Sequence, residues 1–121
     1  MVQLRSRLMV ADNSGVKMVR RIQVMGMKHR AGKIGRLVVA SVMKANPTCT
    51  MKKGDLVRGY LVNSAFGLSR RSGFHQSFDS NSIILVNKKL EPMSNRVMVP
   101  LPKELRRLGR AKRMTIGTVS V

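Results

Sequence analysis

The sequence predicts an all-β fold, a small barrel or sandwich, on three observations. Short β-type segments recur at roughly ten-residue spacing. Clusters of Gly, Pro, Asn and Asp punctuate them, and no long amphipathic helical stretch intervenes. With 121 residues and 43% hydrophobic content, close to the globular norm of about 45–50%, the chain is expected to fold as a single domain over residues 1–121.

Taken in order, Arg5 to Ala11 alternates charged or polar with apolar residues until the Asp12-Asn13-Ser14-Gly15 cluster stops it. Lys17 to Met25 resumes as a strand, with Val19, Ile22 and Val24 expected in the core and Gly26 closing the segment. Residues 28–36, KHRAGKIGR, read as an exposed basic loop. Leu37 to Met43 is an apolar, β-branched run suited to burial on both faces, ended by Asn46-Pro47. The turn chemistry of Met51-Lys52-Lys53-Gly54-Asp55 launches the next strand, Leu56 to Val62.

Phe66 to Phe78 carries Gly67 and Gly73 with Arg70 and Arg71 between them, the pattern of a hairpin or ribbon with a basic flank. Ser82 to Asn87 holds the densest apolar run, Ile83-Ile84-Leu85-Val86, and is expected to be a core strand. Beyond Pro92, Pro100 and Pro102 change the texture. Pro102 can occupy the first turn of a helix, so Lys103-Glu104-Leu105-Arg106-Arg107 reads as a short basic helix within a basic segment at about 102–113. Gly109 stops it, and Met114 to Val121 returns to β-type residues.

Charge narrows the function. Twenty-four Lys and Arg against five acids leave a net charge of +19, where a small domain usually carries about 2–8. At physiological salt the Debye length is about 8 Å, so these cations repel one another across so small a body. The expected counter-charge is a polyanion: nucleic acid, an anionic membrane or an acidic protein. No run of about 18 apolar residues occurs, which argues against a spanning helix. A cationic membrane binder would need a longer amphipathic helix than 102–108. The opening MVQLRSRLMVADNSG has no apolar signal-peptide core and reads as mature protein.

Catalysis is not expected. Asp12, Asp55, Asp79, Glu91 and Glu104 stand mostly in turn or loop contexts, which suits capping and turn formation. His29 and His75 lack HExxH spacing or a Cys partner, so no metal site is expected. Cys49 is the only cysteine, which excludes an intrachain disulfide and leaves it as packing filler or a loop spectator. Neither a nucleophile elbow nor a Gly-rich phosphate loop occurs, and no cofactor is expected.

The cations fall in predicted loops and appendages: Lys28, Arg30, Lys33 and Arg36; Lys52 and Lys53; Arg70 and Arg71; Lys103, Arg106, Arg107, Arg110, Lys112 and Arg113. The predicted core strands 37–43 and 83–86 contain none. More than half of these cations are arginine, which binds phosphate bidentately and stacks on bases. If about ten neutralise phosphates, counterion release predicts a log-affinity slope against log salt of about −7 to −9. Aromatic residues amount to only 3%, and Tyr60 and Phe78 are expected in the core. Reading of backbone and shape in folded RNA therefore fits better than base stacking. Among the ten methionines, Met9, Met25 and Met43 are expected to fill the core, while Met27, Met93 and Met98 could mark a protein contact.

Over nearly its full length the chain resembles the universal large-subunit ribosomal protein L-fourteen family. The likeness runs through LMVADNSGVK (8–17), GMKHR (26–30), VMKANPTCTMKKGD (42–55), RRSGFHQSFDSNSIILVN (70–87) and RVMVPLPKELR (96–106). It implies a five-stranded β-barrel with a projecting β-ribbon and a short C-terminal helix, bound to large-subunit rRNA among neighbouring large-subunit proteins, without homo-oligomerisation. Asn13, Ser14 and Lys17 join the cations above as implied rRNA contacts. Bridges to small-subunit rRNA are implied for Met43, Lys44, Ala45, Asn46, Pro47 and Thr48, and for Gly117, Thr118, Val119 and Ser120. Asn95, Arg96 and Thr115 resemble the surface on which a ribosome-silencing factor docks.

Several positions depart from the family pattern. The loop after His29-Arg30 is shorter than in common bacterial forms, and Arg36 stands where an acid is usual. Asn63-Ser64-Ala65-Phe66 lacks the basic residues often found in the ribbon's first arm, and Leu108-Gly109 resembles an insertion. FDSN at 78–81 together with the methionine richness is similar to mitochondrial members, so a mitochondrial ribosome is the expected location, with chloroplast or bacterial cytoplasm as alternatives. The competing functional reading is a free-standing RNA chaperone or translation factor on a small β-barrel.

Overall fold

The computed structural model describes residues 2–26 and 31–107. Along the chain it contains β1 (Arg7–Val10), β2 (Val16–Val24), β3 (Leu37–Ala45), β4 (Leu56–Asn63), β5 (Leu68–Ser69), β6 (His75–Gln76), β7 (Ser82–Val86) and α1 (Glu104–Arg107). The first four strands and β7 close into a barrel in the order β1-β2-β3-β4-β7, and β5 and β6 form a separate two-stranded ribbon. Consecutive barrel strands pair antiparallel, and a parallel pairing of β1 with β7 through Met9↔Ser82 and Val10↔Ile83 completes the closure. The expected all-β barrel with ribbon is thus observed. The stop at Gly109 and the β-type residues 114–121 lie outside the described residues.

Period-two alternation sends Leu8, Val19, Val38, Val42, Leu61 and Ile83 into one interior cluster. Gly59 lies between inward-facing Val57 and Leu61, paired with Leu85 of β7. A Cβ there would stand 2.5 Å from the Ile84 carbonyl oxygen and 2.6 Å from Ile83 Cγ1. The expectation for 83–86 holds, for a specific reason. Ile83 and Leu85 fill the interior, while Ile84 and Val86 join Tyr60 and Val62 in a second cluster outside the barrel, covered by Val97, Leu101 and Leu105. The segment 97–105 therefore runs over β4 and β7 and seals their outer face.

Several positions differ from expectation. β3 is buried on one face only, because, of its outward-facing residues, Leu37 packs against the second cluster and the others do not: Val38, Ala40 and Val42 are buried and the intervening residues half-buried. In β2 a register shift between Arg21↔Ala40 and Gln23↔Val39 marks a bulge. Arg21, on the parity of buried Val19, is 5% exposed, and Ile22 beside the bulge faces outward, 42% exposed. Arg21 Nη1 donates to the Val2 carbonyl at 2.9 Å, tying the N-terminal arm to the barrel, and burial lowers the Arg21 pKa by desolvation. Met9 and Met25 are exposed and Met43 half-buried, not core, because they fall on strand parities or turns that face away from the interior. Tyr60 is buried as expected, whereas Phe78 is half-buried. β1 starts at Arg7 and not Arg5, whose φ of 63° turns the chain. Cys49 is half-buried against the core, its Sγ 3.2 Å from the Ser14 carbonyl oxygen. Among the described residues no helix is long and apolar enough to cross a membrane.

Candidate nucleic-acid interface

One end of the barrel is organised by Asp12. Its Oδ1 accepts from the Ser14 N–H at 3.0 Å and from the Ser14 hydroxyl, while its Oδ2 accepts from the Leu85 N–H at 3.0 Å. The Asx turn so formed holds Asn13 and Ser14 at the surface. The Gly15 carbonyl then accepts from the Asn46 N–H at 2.8 Å. Val16 pairs with Ala45 and Met18 with Lys44, so Lys17, exposed, projects beside the Met43–Thr48 segment. Lys44, Asn46, Pro47 and Thr48 are exposed, and Met43 and Ala45 half-buried. Lys52 and Lys53, both exposed, sit in the turn that re-enters the barrel. There Asp55 accepts from the Lys52 N–H at 2.8 Å and Gly54 N–H donates to the Val42 carbonyl at 2.9 Å. Residues from three separate stretches of sequence thus form one cationic rim.

Asn95 and Arg96 belong to the same end. The Asn13 N–H lies 3.4 Å from Ser94 Oγ, Asp12 bridges to Val97, and both Asn95 and Arg96 are exposed.

The opposite end carries Lys33 and Arg36, both exposed, on the loop entering β3, together with the ribbon. Arg71 is exposed at the ribbon tip, where Gly73, at φ 87°, supports the turn between Arg70 and Phe74. Arg70 behaves differently: its Nε donates to Glu104 Oε1 at 2.7 Å and its Nη2 to Gln76 Oε1 at 2.5 Å. This ion pair fastens the ribbon to α1, beside which Lys103 is exposed. Arg106 and Arg107 lie on α1. Lys28, His29, Arg30, Arg110, Lys112, Arg113, Thr115 and Gly117 to Ser120 lie outside the described residues.

Sequence reading assigned no role to several cations on the strands. Arg7 and Arg20 are Cα partners across β1 and β2, and both are exposed on the outer barrel face. The polar residues that open the segment 5–11 were the available signal for Arg7. Sequence reading also treated Asp12 only as a turn former, since nothing local announces a bond to a residue 73 positions away. Among the described residues no group of three or more His, Cys, Asp or Glu could hold a metal ion.

A rim of cations on a small closed barrel, with acids committed to turns and one ion pair, is built to meet a polyanion. Residues 1–120 match the family model for ribosomal protein L14p/L23e. The chain is also 41% identical over 113 residues, 93% of each chain, to the large ribosomal subunit protein uL14 of Petrotoga mobilis. The family resemblance carried by the motifs between residues 8 and 106 is therefore borne out, and with it the structural, non-enzymatic role. The chain belongs to the ribosomal protein L14p/L23e family and is a structural constituent of the large ribosomal subunit.

Proposed function

We propose that the chain is anchored to folded large-subunit rRNA by cations at both ends of its barrel, and that the rim formed by residues 12–17 and 43–55 also faces small-subunit rRNA. The observation that carries this reading is the convergence of Asn13, Ser14, Lys17, Lys52 and Lys53 with the Met43–Thr48 segment on a single rim. Lys33, Arg36, Arg71 and Lys103 supply the second anchoring point. Lys28, His29, Arg30, Arg106, Arg107, Arg110, Lys112 and Arg113 add charge to the same docking, and Gly117 to Ser120 form a second bridge. Two separated cationic ends suit shape and backbone reading of a folded RNA, whose phosphates flank the barrel on both sides.

Asn95 and Arg96, with Thr115, form the seat of a ribosome-silencing factor. The short distance between Asn13 and Ser94 supports this role, because a protein bound there would cover the bridging rim and prevent subunits from joining. The chain acts as one copy among neighbouring large-subunit proteins. A closed barrel leaves no free barrel edge for pairing with a second copy. FDSN at 78–81 and the ten methionines support a mitochondrial ribosome as its location.

The decisive experiment is sedimentation of a lysate in stepwise salt. The chain is expected to travel with the large subunit and to leave it only at high salt; a free monomer in a lysate that contains ribosomes overturns the reading. Mass spectrometry of ribosomal particles from separated organelles tests the compartment.

A further inference from the structure

We infer that the groove between the loop at Gly32–Ile34 and the base of the ribbon receives one unpaired nucleobase of the rRNA, stacked on Phe66. This rests on the rRNA docking proposed above and assigns a specific contact within it. The groove encloses about 220 Å³, with Lys33 and Ile34 on one wall and Phe66, Gly67 and Leu68 on the other. That is below the roughly 300–1,000 Å³ of a small-molecule pocket, and suits one flat ring.

Phe66 is 65% exposed, an aromatic ring left largely outside the core. Its setting is nonetheless rigid. The Gly67 N–H closes a turn on the Ser64 carbonyl at 3.1 Å, and the Ala65 N–H donates to Asn81 Oδ1 at 3.0 Å. Gly67 has φ +83°, and a Cβ on it would stand 2.6 Å from the Gln76 carbonyl oxygen and 2.8 Å from His75 Nε2. Strand and turn are thus packed against each other beneath the ring, and a platform held in advance loses little entropy on binding.

The chemistry favours a base over a protein side chain. From Asn63 to Ser69 the arm carries no charge, so it cannot neutralise phosphate, and its one aromatic group offers RNA a π-face. Lys33 across the groove supplies the cation for the attached phosphate. Among the described residues no acid lines the groove, and Arg36 and Arg71 stand on the same end of the barrel. One stacked base is also consistent with a chain of 3% aromatic residues, which has no extended stacking face.

The chain has no tryptophan, so Phe66→Trp introduces a single fluorophore. Full-length Phe66→Trp protein is titrated with a large-subunit rRNA transcript. Quenching of its emission is expected, with affinity comparable to the parent. Phe66→Leu keeps the apolar contact and removes the π-face, and is expected to weaken binding by about 5- to 150-fold. The slope of log affinity against log salt stays unchanged, because no charge is altered. Circular dichroism and the urea midpoint of both variants are expected to match the parent. An unquenched Phe66→Trp fluorophore, or Phe66→Leu affinity equal to the parent, overturns the stacking site while rRNA docking stands. Emission that changes only when neighbouring large-subunit proteins are added assigns the groove to a protein and equally overturns it. A parent chain without salt-sensitive affinity for the transcript overturns the docking reading, and this inference with it.

Discussion

The Asp12 carboxylate accepts the backbone N–H of Leu85 at 3.0 Å, a side chain standing in for a strand. β1 and β7 pair in parallel only as far as Val10↔Ile83, with the Ala11 N–H still reaching the Ile83 carbonyl at 2.9 Å. Beyond that point the chain turns away into the Asn13-Ser14 loop, and the carboxylate of Asp12 takes up the next donor of β7. Barrel closure and the shape of the rim formed by residues 12–17 and 43–55 therefore depend on the same side chain.

Asp12→Ala is expected to orphan the buried Leu85 N–H at a cost of about 1–3 kcal/mol, seen as a lower urea midpoint and faster amide exchange at Leu85. Asp12→Asn retains one acceptor oxygen and is expected to cost less. Equal losses in the two variants would count against the carboxylate's double role.

Gly59→Ala is expected to be among the most damaging single-methyl changes in the chain. The new Cβ meets the Ile84 carbonyl oxygen at 2.5 Å, and backbone cannot rotate aside as a side-chain end can. Overpacking of this kind costs about 1–3 kcal/mol or more, measurable by chemical denaturation. Gly54→Ala makes a useful contrast: its φ is +96° but nothing lies within 4 Å, so only backbone strain is added.

The Arg70–Glu104 pair, with side chains 29% and 32% exposed, is partly open to solvent. A double-mutant cycle with Arg70→Met and Glu104→Gln is expected to return about 0.2–1 kcal/mol, shrinking as salt rises. Its larger effect is positional. Glu104→Gln is expected to loosen the ribbon from α1, read as increased amide exchange at Leu68 and Gln76.

Arg7 and Arg20 face one another across β1 and β2. Directly opposed like charges destabilise a sheet by about 0.2–1 kcal/mol. Arg20→Gln is therefore expected to raise the thermal midpoint of the free chain at low ionic strength, with the gain fading as salt screens the pair.

On the rim that carries Lys17, Lys52→Ala and Lys53→Ala are each expected to weaken rRNA affinity and to reduce the log-log salt slope by about 0.7–0.9. Filter binding across a salt series measures both. Affinity lost with an unchanged slope would remove these lysines from the phosphate contacts.

Much of this architecture was legible because it is written in local patterns. Alternation in β1, the Gly-punctuated ribbon and the continuous apolar run at 83–86 each carry their own period or turn chemistry. Ile22 was misread because a bulge shifts strand parity, and a bulge depends on the partner strand. Met9 and Met25 were misread because hydrophobicity alone does not say which parity faces inward. Arg70 reads as one more free cation until Glu104, 34 residues later, is brought against it.

By itself the sequence determined a cationic β body with clusters of charge in its loops and apolar runs at 37–43 and 83–86, since composition and short-range periodicity are properties of consecutive residues. Only the tertiary structure decided that residues 12–17, 43–55 and 94–96 share one rim while the ribbon and Lys33 share the other. That grouping follows from antiparallel neighbours returning their ends to the same side and from the β1–β7 register that closes the barrel, both of which are set by pairings between residues far apart in the chain.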